Sequence, residues 1–431
     1  MFARFRVFNL KGYYMSNLQA LHNSTMTNGY ADNYSKSASE EPSKTQPSKG
    51  YGDGQPTQQS SGTGRKWHDL NNDGVTSLSY QNGVYHSSER GKGLLPFMLD
   101  ESKVKSALQD WSDVANVTFT ESKNPANEGH LKLAVHTYPN TPDGVPKEPG
   151  SEVVFFQTAR GTDAPSISKQ KIMREVGHAM GVQRPDHAPG SLMDDIEQAQ
   201  KLYGANYNTR NTDTVYGFNS NADRDQYSLK DPDTYRMMPR HMQEANSAPE
   251  FSVWDGGGND TFDFSKFTQD QTINLGAGTY SNVGSGVNNV SIARGVTIEN
   301  AKGGTGNDKI IGNQANNVIV GGGGRDQLWG VGGNNTFKYN EVSDSTHDKA
   351  DCLMDFVSGK DKIDITEAMT KAGVAPRLVQ NFTGTPGDAV IGFHPTDKLY
   401  YLAIDTSGNG KTDFLIKSTK PIVPNDIVVP R

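Results

Sequence analysis

The chain has 431 residues, of which 33% are hydrophobic, and carries 42 lysines and arginines against 49 aspartates and glutamates. That length favours two domains, because single domains usually have about 100–200 residues. The net charge of -7 lacks the basic excess of proteins that neutralise nucleic-acid phosphates, so no nucleic-acid partner is expected. No membrane span is expected either, because no stretch approaches the roughly 20 apolar residues that a span needs.

Residues 1–66 are predicted to be a disordered leader or propeptide. Residues 1–14 include basic side chains but no continuous apolar segment and no small-residue cleavage site, so they make a poor secretory signal. Met15 is a second possible start, and both starts remain open. From Ser16 to Lys66 the chain is rich in Ser, Gln, Asn, Gly, Lys and Pro, a composition that buries too little apolar surface to offset the entropy of ordering.

Residues 67–209 have the pattern of an α+β domain, in which short stretches of apolar–polar alternation are interspersed with helical spacing. The predicted elements are strands at residues 117–120 and 131–135 and helices at residues 102–115, 169–180 and 198–203.

With the single cysteine, Cys352, no disulfide can form within the chain, so packing, oligomerisation or bound metal must stabilise it.

Residues 303–338 divide into four consecutive nine-residue units, GGTGNDKII, GNQANNVIV, GGGGRDQLW and GVGGNNTFK. The eighth position of each unit is a large apolar residue that is expected to point inwards: Ile310, Ile319, Leu328 and Phe337. A related unit, DGGGNDTFD, begins at Asp255. This pattern is typical of a calcium-binding parallel β-roll, so residues 210–431 are predicted to form an all-β second domain.

Stacked turns in such a roll can hold calcium, because Ca²⁺ takes six to eight oxygen ligands from carboxylates and backbone carbonyls. Turns two units apart should face each other, which pairs Asp308 with Asp326. The other pair offers the neutral side chains of Asn317 and Asn335. That pair is expected to bind calcium weakly or to form a purely structural ladder, and both interpretations remain open.

Two further acidic patterns are interpreted as polar turns. The segment beginning Asp69-Leu-Asn-Asn-Asp73 starts like a calcium loop, but Tyr80 stands at the twelfth position, where a bidentate Glu is needed. Asp405 and Asp413 flank a Gly-containing segment between apolar strands, as in a solvated hairpin turn.

Several segments together resemble the serralysin family of bacterial metalloproteases. They are WSDVANVTFTE (111–121), KLYGAN (201–206), VYGFNSNADRD (215–225), FSVWDGGGNDTFDFS (251–265), NVSIARGVTIENAKGGTGND (289–308) and DFVSGKDKID (355–364). The resemblance implies a metzincin-like α+β domain, a calcium-binding parallel β-roll and export through a type I secretion apparatus without a signal peptide. The protein is therefore expected to be extracellular. Residues 425–429, Asn-Asp-Ile-Val-Val, fit the family's export signal, although Pro430 and Arg431 extend beyond it.

The resemblance also implies calcium ligands, most of which would act through backbone carbonyls. The first set is Arg210, Thr212 and Thr214 with Asp255, Gly257 and Asp260; the second is Gly258 and Asp260 with Thr297 and Glu299; the third is Gly304, Gly306 and Asp308 with Gly321, Gly323 and Asp326. Thr212 departs from the glycine that is usual in the family.

The zinc motif of metzincins, H-E-x-x-H-x-x-G-x-x-H, is altered in this chain. Glu175, His178 and Gly181 are retained, but Arg174 and Arg184 stand where the first and third histidines belong. Arginine has no lone pair to offer a metal and keeps its charge, so it cannot ligate Zn²⁺. Zinc, expected in the family, is therefore not expected here, and Glu175 would be a vestigial general base.

The segment between the zinc motif and the next helix is also short. The family places a Met-turn in this region, whereas only residues 185–191 intervene here. Met193 is interpreted as part of the following helix and not as the Met-turn.

Three functions follow from these features. The first is a secreted, calcium-stabilised pseudoprotease that binds a protein substrate, a protease inhibitor or a surface ligand. The second is a zinc endopeptidase with replacement ligands, in which His178 is joined by two of Asp186, His187 and Asp194. The third is a remnant in which only the calcium roll still folds.

Overall fold

The computed structural model describes residues 58–61, 64–67, 69, 71–82, 99–122, 131–138, 152–158, 167–182, 192–230 and 249–430. The chain divides into two compact units, residues 1–50 and 51–431, and all the described residues belong to the second. Met15, Arg184 and the short segment 185–191 lie outside the described residues. Two antiparallel strands, β1 (Gln58–Ser61) and β2 (Gly64–Trp67), lie within the end of the segment that was predicted to be disordered.

A four-stranded parallel sheet forms the first layer of the α+β part, in the order β4-β3-β5-β6. Its strands are β3 (Thr76–Asn82), β4 (Val117–Glu121), β5 (Leu131–Tyr138) and β6 (Glu152–Thr158). Leu78 and Leu133 on these strands are buried in the core, as expected for a sheet with one face packed against helices.

Three helices complete the α+β part: α1 (Glu101–Val114), α2 (Lys169–Met180) and α3 (Leu192–Tyr203). The Asp100 side chain caps α1, and Gly181, with φ of 95°, ends α2 in the left-handed region. The third helix begins six residues before the predicted position 198, and buried Met193 lies inside it, as predicted. No described helix is long and apolar enough to cross a membrane.

The roll consists of two long sheets and one short sheet. The first contains, in spatial order, β25 (Ile427–Val428), β20 (Lys362–Asp364), β18 (Thr336–Lys338), β16 (Val318–Val320), β14 (Asn300–Lys302), β10 (Thr261–Asp263), β7 (Val215–Phe218) and β8 (Ser228–Leu229). The second contains β11 (Thr272–Asn274), β15 (Lys309–Ile311), β17 (Gln327–Trp329), β19 (Asp351–Leu353), β24 (Phe414–Ser418), β23 (Leu399–Asp405), β22 (Asp388–His394) and β21 (Arg377–Leu378). The third contains β12 (Tyr280–Ser281), β13 (Val290–Ile292) and β9 (Phe251–Val253), and one helix, α4 (Thr366–Ala372), lies outside the sheets.

The nine-residue repeat alternates between the two long sheets. Ile310 pairs with Leu328 in one sheet, and Ile319 pairs with Phe337 in the other, so units two apart are neighbours. All four side chains are at most 1% exposed. The predicted roll and its inward eighth position are therefore confirmed.

Candidate metal sites

The turn at residues 255–260 stacks on the turn at residues 209–214. The Gly256 N–H donates to the Thr209 carbonyl at 2.8 Å, and the Thr214 N–H donates to Asp260 Oδ1 at 2.8 Å. A β-carbon on Gly258 would lie 2.6 Å from the Thr212 carbonyl carbon, so only glycine permits this approach. The structure thus brings together the two halves of the first predicted calcium set.

Arg210 takes part in this turn through its backbone, while its side chain is engaged elsewhere. Its guanidinium donates to Asp113 Oδ2 at 2.9 Å and to the Trp254 carbonyl at 2.6 Å. The side chain is therefore a structural link to the α+β part, and only its carbonyl remains for the predicted ligand role.

The second predicted set shares Asp260. The Asp260 N–H donates to Glu299 Oε2 at 2.7 Å, which places Glu299 on the next turn of the same stack. Thr297, two residues earlier, is exposed. Burial raises the pKa of Asp260 to about 8, with a further contribution from the neighbouring Asp255 carboxylate. Asp260 is fully buried and, among the described residues, no donor reaches its Oδ2 atom, so the protein itself does not stabilise the charged form of this carboxyl group.

The third set shows the same arrangement in the repeats. The Asp308 N–H donates to Asp326 Oδ1 at 2.7 Å. Burial raises the pKa of Asp308 to about 6 and that of Asp326 to about 8, and no donor reaches Asp326 Oδ2. The carbonyls of Gly304 and Gly306 face the next turn, because β-carbons on Gly322 and Gly324 would each lie 2.0 Å from them. Gly321 and Gly323 belong to that facing turn.

The donor set in these turns fits calcium. Each set contains one buried carboxylate oxygen without a donor, Oδ2 of Asp260 or of Asp326, beside backbone carbonyls of stacked turns, and Ca²⁺ binds such oxygens. A bound divalent cation would also remove the cost of burying like charges together. Occupancy by calcium stays a prediction.

One further buried carboxylate, next to the turn of Asp326, was not predicted from the sequence. Asp351 is fully buried, and its Oδ1 accepts the Asp326 N–H at 2.8 Å. It lies 25 residues after Asp326, outside the nine-residue period, so the repeat gave no sign of it. The available signal was an acidic residue directly before the apolar strand β19.

Helix α2 carries the remains of the zinc motif. Arg174 is exposed, His178 is partly buried on the same face one turn later, and Glu175 is 6% exposed. Among the residues that the structure describes, no donor reaches Glu175 Oε2. The helix is firmly seated, since Trp111 Nε1 donates to the Met173 carbonyl at 2.9 Å.

The described residues do not fit a zinc site. Catalytic zinc needs three protein ligands, and this helix supplies one imidazole. Within the described part of the chain, no group of three or more His, Cys, Asp or Glu side chains is arranged to hold a metal. Asp194 is exposed on α3, whereas Asp186, His187 and Arg184 fall outside the described residues.

The two weaker acidic patterns form turns, as predicted, but Asp405 is fully buried and not solvated, because its carboxylate accepts N–H groups of the turn. Asp69 Oδ2 accepts the Gly74 N–H at 2.7 Å, and Asp73 Oδ1 accepts the Val75 N–H at 2.8 Å. Asp405, at the start of the β23–β24 hairpin, accepts the N–H groups of Gly408 and Gly410. These carboxylates therefore organise their own loops.

A family model and several relatives indicate the same family. A family model described as Peptidase M10 serralysin C terminal matches residues 205–429. The metalloprotease AprA of Pseudomonas entomophila is 38% identical over 85% of this chain and 88% of its own length. The serralysin of Photorhabdus luminescens is 35% identical, over 76% of this chain and 79% of its own length. Serralysin C of Dickeya chrysanthemi is 36% identical, over 73% of this chain and 76% of its own length.

Among solved structures, the AlgE6R2 subunit of the Azotobacter vinelandii mannuronan C5-epimerase matches 40% of this chain and 92% of that chain. The identity is 16% and the TM-score 0.27, too low to bear on function. The relatives, by contrast, span both the α+β part and the roll at more than a third identity. The chain belongs to the serralysin family.

Proposed function

We propose that this chain is an exported, calcium-stabilised member of the serralysin family that acts by binding and not by peptide hydrolysis. The surface beside α2, where the family's active site would lie, would bind a protein substrate, a protease inhibitor or a surface ligand. The observation that carries the proposal is Arg174, which stands one helical turn before His178 where the family motif requires a zinc ligand.

The coordination chemistry supports this proposal. A guanidinium has five donors and no acceptor, and its positive charge repels a cation held nearby. Glu175 retains the place of a general base, but it needs water that is acidic enough to deprotonate. Zinc lowers the pKa of its bound water from about 15.7 to about 7. Without the metal, Glu175 has no such water to act on.

Calcium would be held by the stacked turns of the roll, through the carboxylates of Asp260, Asp308 and Asp326 and the carbonyls that face them. The support is the donor set itself, since the Oδ2 atoms of the fully buried Asp260 and Asp326 have no donor and a cation would satisfy them. The ion's contribution is structural, because these turns lie in the roll and not at α2.

Export and an extracellular location belong to the same proposal. Their support is family membership and the C-terminal sequence Asp426-Ile427-Val428-Val429, which matches the family's signal for a type I secretion apparatus. Asp426 is fully buried and accepts the Gly359 N–H at 2.9 Å, so in the folded chain it also closes a turn of the roll.

The decisive test is elemental analysis of the purified full chain together with a casein-cleavage assay. We expect zinc far below one ion per chain and cleavage no faster than that of the Glu175→Gln variant, which serves as the matched control. Stoichiometric zinc, with cleavage that disappears in Glu175→Gln, would instead establish a zinc endopeptidase with replacement ligands.

The double substitution Arg174→His and Arg184→His tests whether the ligands alone were lost. If the rest of the cleft is intact, the variant binds zinc with three histidines, and the gain is measured by the same elemental analysis. If it gains no zinc while its circular dichroism matches the wild type, the shortened connection at residues 185–191 has also removed part of the site.

A further inference from the structure

Two columns of turns run along the roll, one at each edge, and they differ in the chemistry of their turn-ending side chains. The acidic column contains the turns that end in Asp308, Asp326 and Asp351. The asparagine column contains those that end in Asn317, Asn335 and Asp361, and it continues the edge on which the turns of Asp260 and Glu299 lie. In both columns, a side-chain oxygen of one turn accepts the backbone N–H of the corresponding residue in the turn before. The columns therefore share one backbone geometry.

The acidic column is left with oxygen atoms that nothing in the protein satisfies. Asp308 uses both its oxygens, which accept the N–H groups of Gln271 and Gly304 at 2.7 Å. Asp326 uses only Oδ1, and its fully buried Oδ2 has no donor. A fully buried carboxylate oxygen without a donor is costly unless a cation completes it.

The asparagine column contains no such atom. Asn317 Nδ2 donates to the Glu299 carbonyl at 2.8 Å and to Asn313 Oδ1 at 2.9 Å. Asn317 Oδ1 accepts the Asn313 N–H at 2.9 Å. Both hydrogens and the oxygen of this amide are thus engaged within the roll.

The side-chain amide of Asn335, in the next turn of this column, is also fully hydrogen-bonded. Its Nδ2 donates to the Gly332 carbonyl at 2.9 Å and to Asp361 Oδ1 at 3.1 Å, while its Oδ1 accepts the Asn317 N–H at 3.0 Å. Asp361 Oδ2 accepts the Val357 N–H at 2.8 Å, so this carboxylate is satisfied as well.

The two columns can be compared atom by atom. A β-carbon built on Gly321 would lie 2.3 Å from Asp326 Oδ2, and one built on Gly330 would lie 2.3 Å from Asn335 Nδ2. The amide nitrogen of Asn335 therefore occupies the place that the free carboxylate oxygen has in the acidic column. Calcium would need an oxygen ligand at this place. The Asn335 amide presents N–H groups instead, which cannot ligate the ion and whose partial positive charge repels it.

We propose that the step between Asn317 and Asn335 binds no calcium, because the Asn335 amide nitrogen, engaged by the Gly332 carbonyl and Asp361 Oδ1, stands where the acidic column has its free carboxylate oxygen. The two turns are joined instead by the Asn317 N–H, which donates to Asn335 Oδ1. The step between Asp308 and Asp326 then depends on calcium, and the step between Asn317 and Asn335 does not. This inference rests on the proposed calcium-binding function of the acidic column and adds which step between turns needs the ion. In calcium-free solution the step between Asn317 and Asn335 keeps its hydrogen bonds, while the step between Asp308 and Asp326 keeps a buried carboxyl oxygen without a partner.

Crystals of the full chain grown in calcium chloride test this directly through anomalous difference maps. We expect a calcium peak between the turns of Asp308 and Asp326 and none between those of Asn317 and Asn335. A peak in the asparagine step would overturn the inference while leaving the proposed calcium function intact. Absence of a peak from both steps would refute calcium binding by the acidic column, and with it the asymmetry.

Two matched variants extend the test. Asp326→Asn gives the acidic column the chemistry of Asn335, and we expect its peak to be lost. Asn335→Asp combined with Asn317→Asp gives the asparagine column the chemistry of the acidic one, and we expect a new peak there. Retention of the peak in Asp326→Asn would count against the replacement of calcium by an amide.

Discussion

Val331 holds a backbone conformation that a β-branched residue rarely adopts. Its φ is 65°, in the left-handed region, at the second position of the fourth repeat, where the third repeat has Gly322 with φ of 90°. The Val331 N–H donates to Asp355 Oδ2 at 2.8 Å, so the surrounding turn holds the strained conformation in place. A non-glycine residue in this region costs roughly 1–3 kcal/mol.

Replacing Val331 by glycine should therefore stabilise the protein. Because Val331 is 41% exposed, removing its side chain costs little packing. The greater entropy of glycine in the unfolded chain offsets only part of the backbone strain that is relieved. We expect a net gain of about 1 kcal/mol in the free energy of unfolding, measured by urea denaturation with calcium present. The matched control, Gly322→Val, should destabilise, because its β-carbon would lie 2.0 Å from the Gly304 carbonyl. A Val331→Gly variant that is less stable than wild type would contradict the argument.

Gly177 lets helices α1 and α2 pack closely. A β-carbon at this position would lie 2.6 Å from Cζ2 of buried Trp111. We expect Gly177→Ala to lower the free energy of unfolding by about 1 kcal/mol, because overpacking outweighs the gain in helix propensity. Arg174→Ala, on the exposed face of the same helix, should change it by less than about 0.5 kcal/mol. Thermal unfolding compares the two, and a stabilised Gly177→Ala variant would show that Trp111 is free to move aside.

Among the structural elements, the acidic turns make the metal-free roll sensitive to pH. The folded-state pKa of Asp260 and Asp326 is raised to about 8 from 3.8 by burial. The folded chain therefore holds protons that the unfolded chain has released, so its stability falls as pH rises from about 4 through about 8. Below pH 4 both states are protonated, and this contribution to stability is fully present.

Thermal unfolding at pH 5 and pH 8 measures this dependence on protein freed of calcium by ion exchange. We expect a Tm several degrees lower at pH 8. Saturating calcium favours the ionised carboxylates, so the decline between pH 5 and pH 8 should disappear when it is added. An equal decline with and without calcium would mean that these carboxylates do not meet the ion.

At the scale of the whole molecule, a buried charge network joins the α+β part to the roll. Asp113 at the end of α1 accepts from Arg210 at 2.9 Å and from Arg224 Nη2 and Nε at 2.8 Å. The side chains of Asp113 and Arg210 are 8% and 9% exposed. Because the network is mostly shielded from water, removing one partner leaves charge that the solvent cannot compensate.

Asp113→Asn keeps the shape of the side chain and removes its charge. We expect it to lower the free energy of unfolding by about 3 kcal/mol, because the two arginines lose their shared counter-ion. Glu197→Gln is the control, because the Glu197–Arg294 pair also joins α3 to the roll. This pair is more exposed, with Arg294 64% accessible to solvent. We therefore expect Glu197→Gln to lower the free energy of unfolding by at most about 1 kcal/mol. Calorimetry with calcium present compares them, and equal effects would contradict the argument.

The sequence by itself determined the roll, its repeat and the alteration of the zinc motif. These are local properties: a nine-residue period places Ile310 and Leu328 inside whatever the rest of the chain does, and Arg174 cannot ligate zinc in any fold. Helix α2 was likewise predictable to the residue, because its apolar spacing and its terminal Gly181 are contiguous in the chain.

Only the tertiary structure decided which side chains complete one another across the turns and between the two parts. Asp351 joins Asp326 across 25 residues, and Arg210 and Arg224 meet Asp113 across 97 and 111 residues. The difference between the acidic and asparagine columns also depends on which donor faces which carbonyl, and that is settled when the strands stack. Hydrogen bonds and ion pairs of this kind depend on distances of a few ångströms between segments that are remote in sequence, and no local pattern encodes those distances.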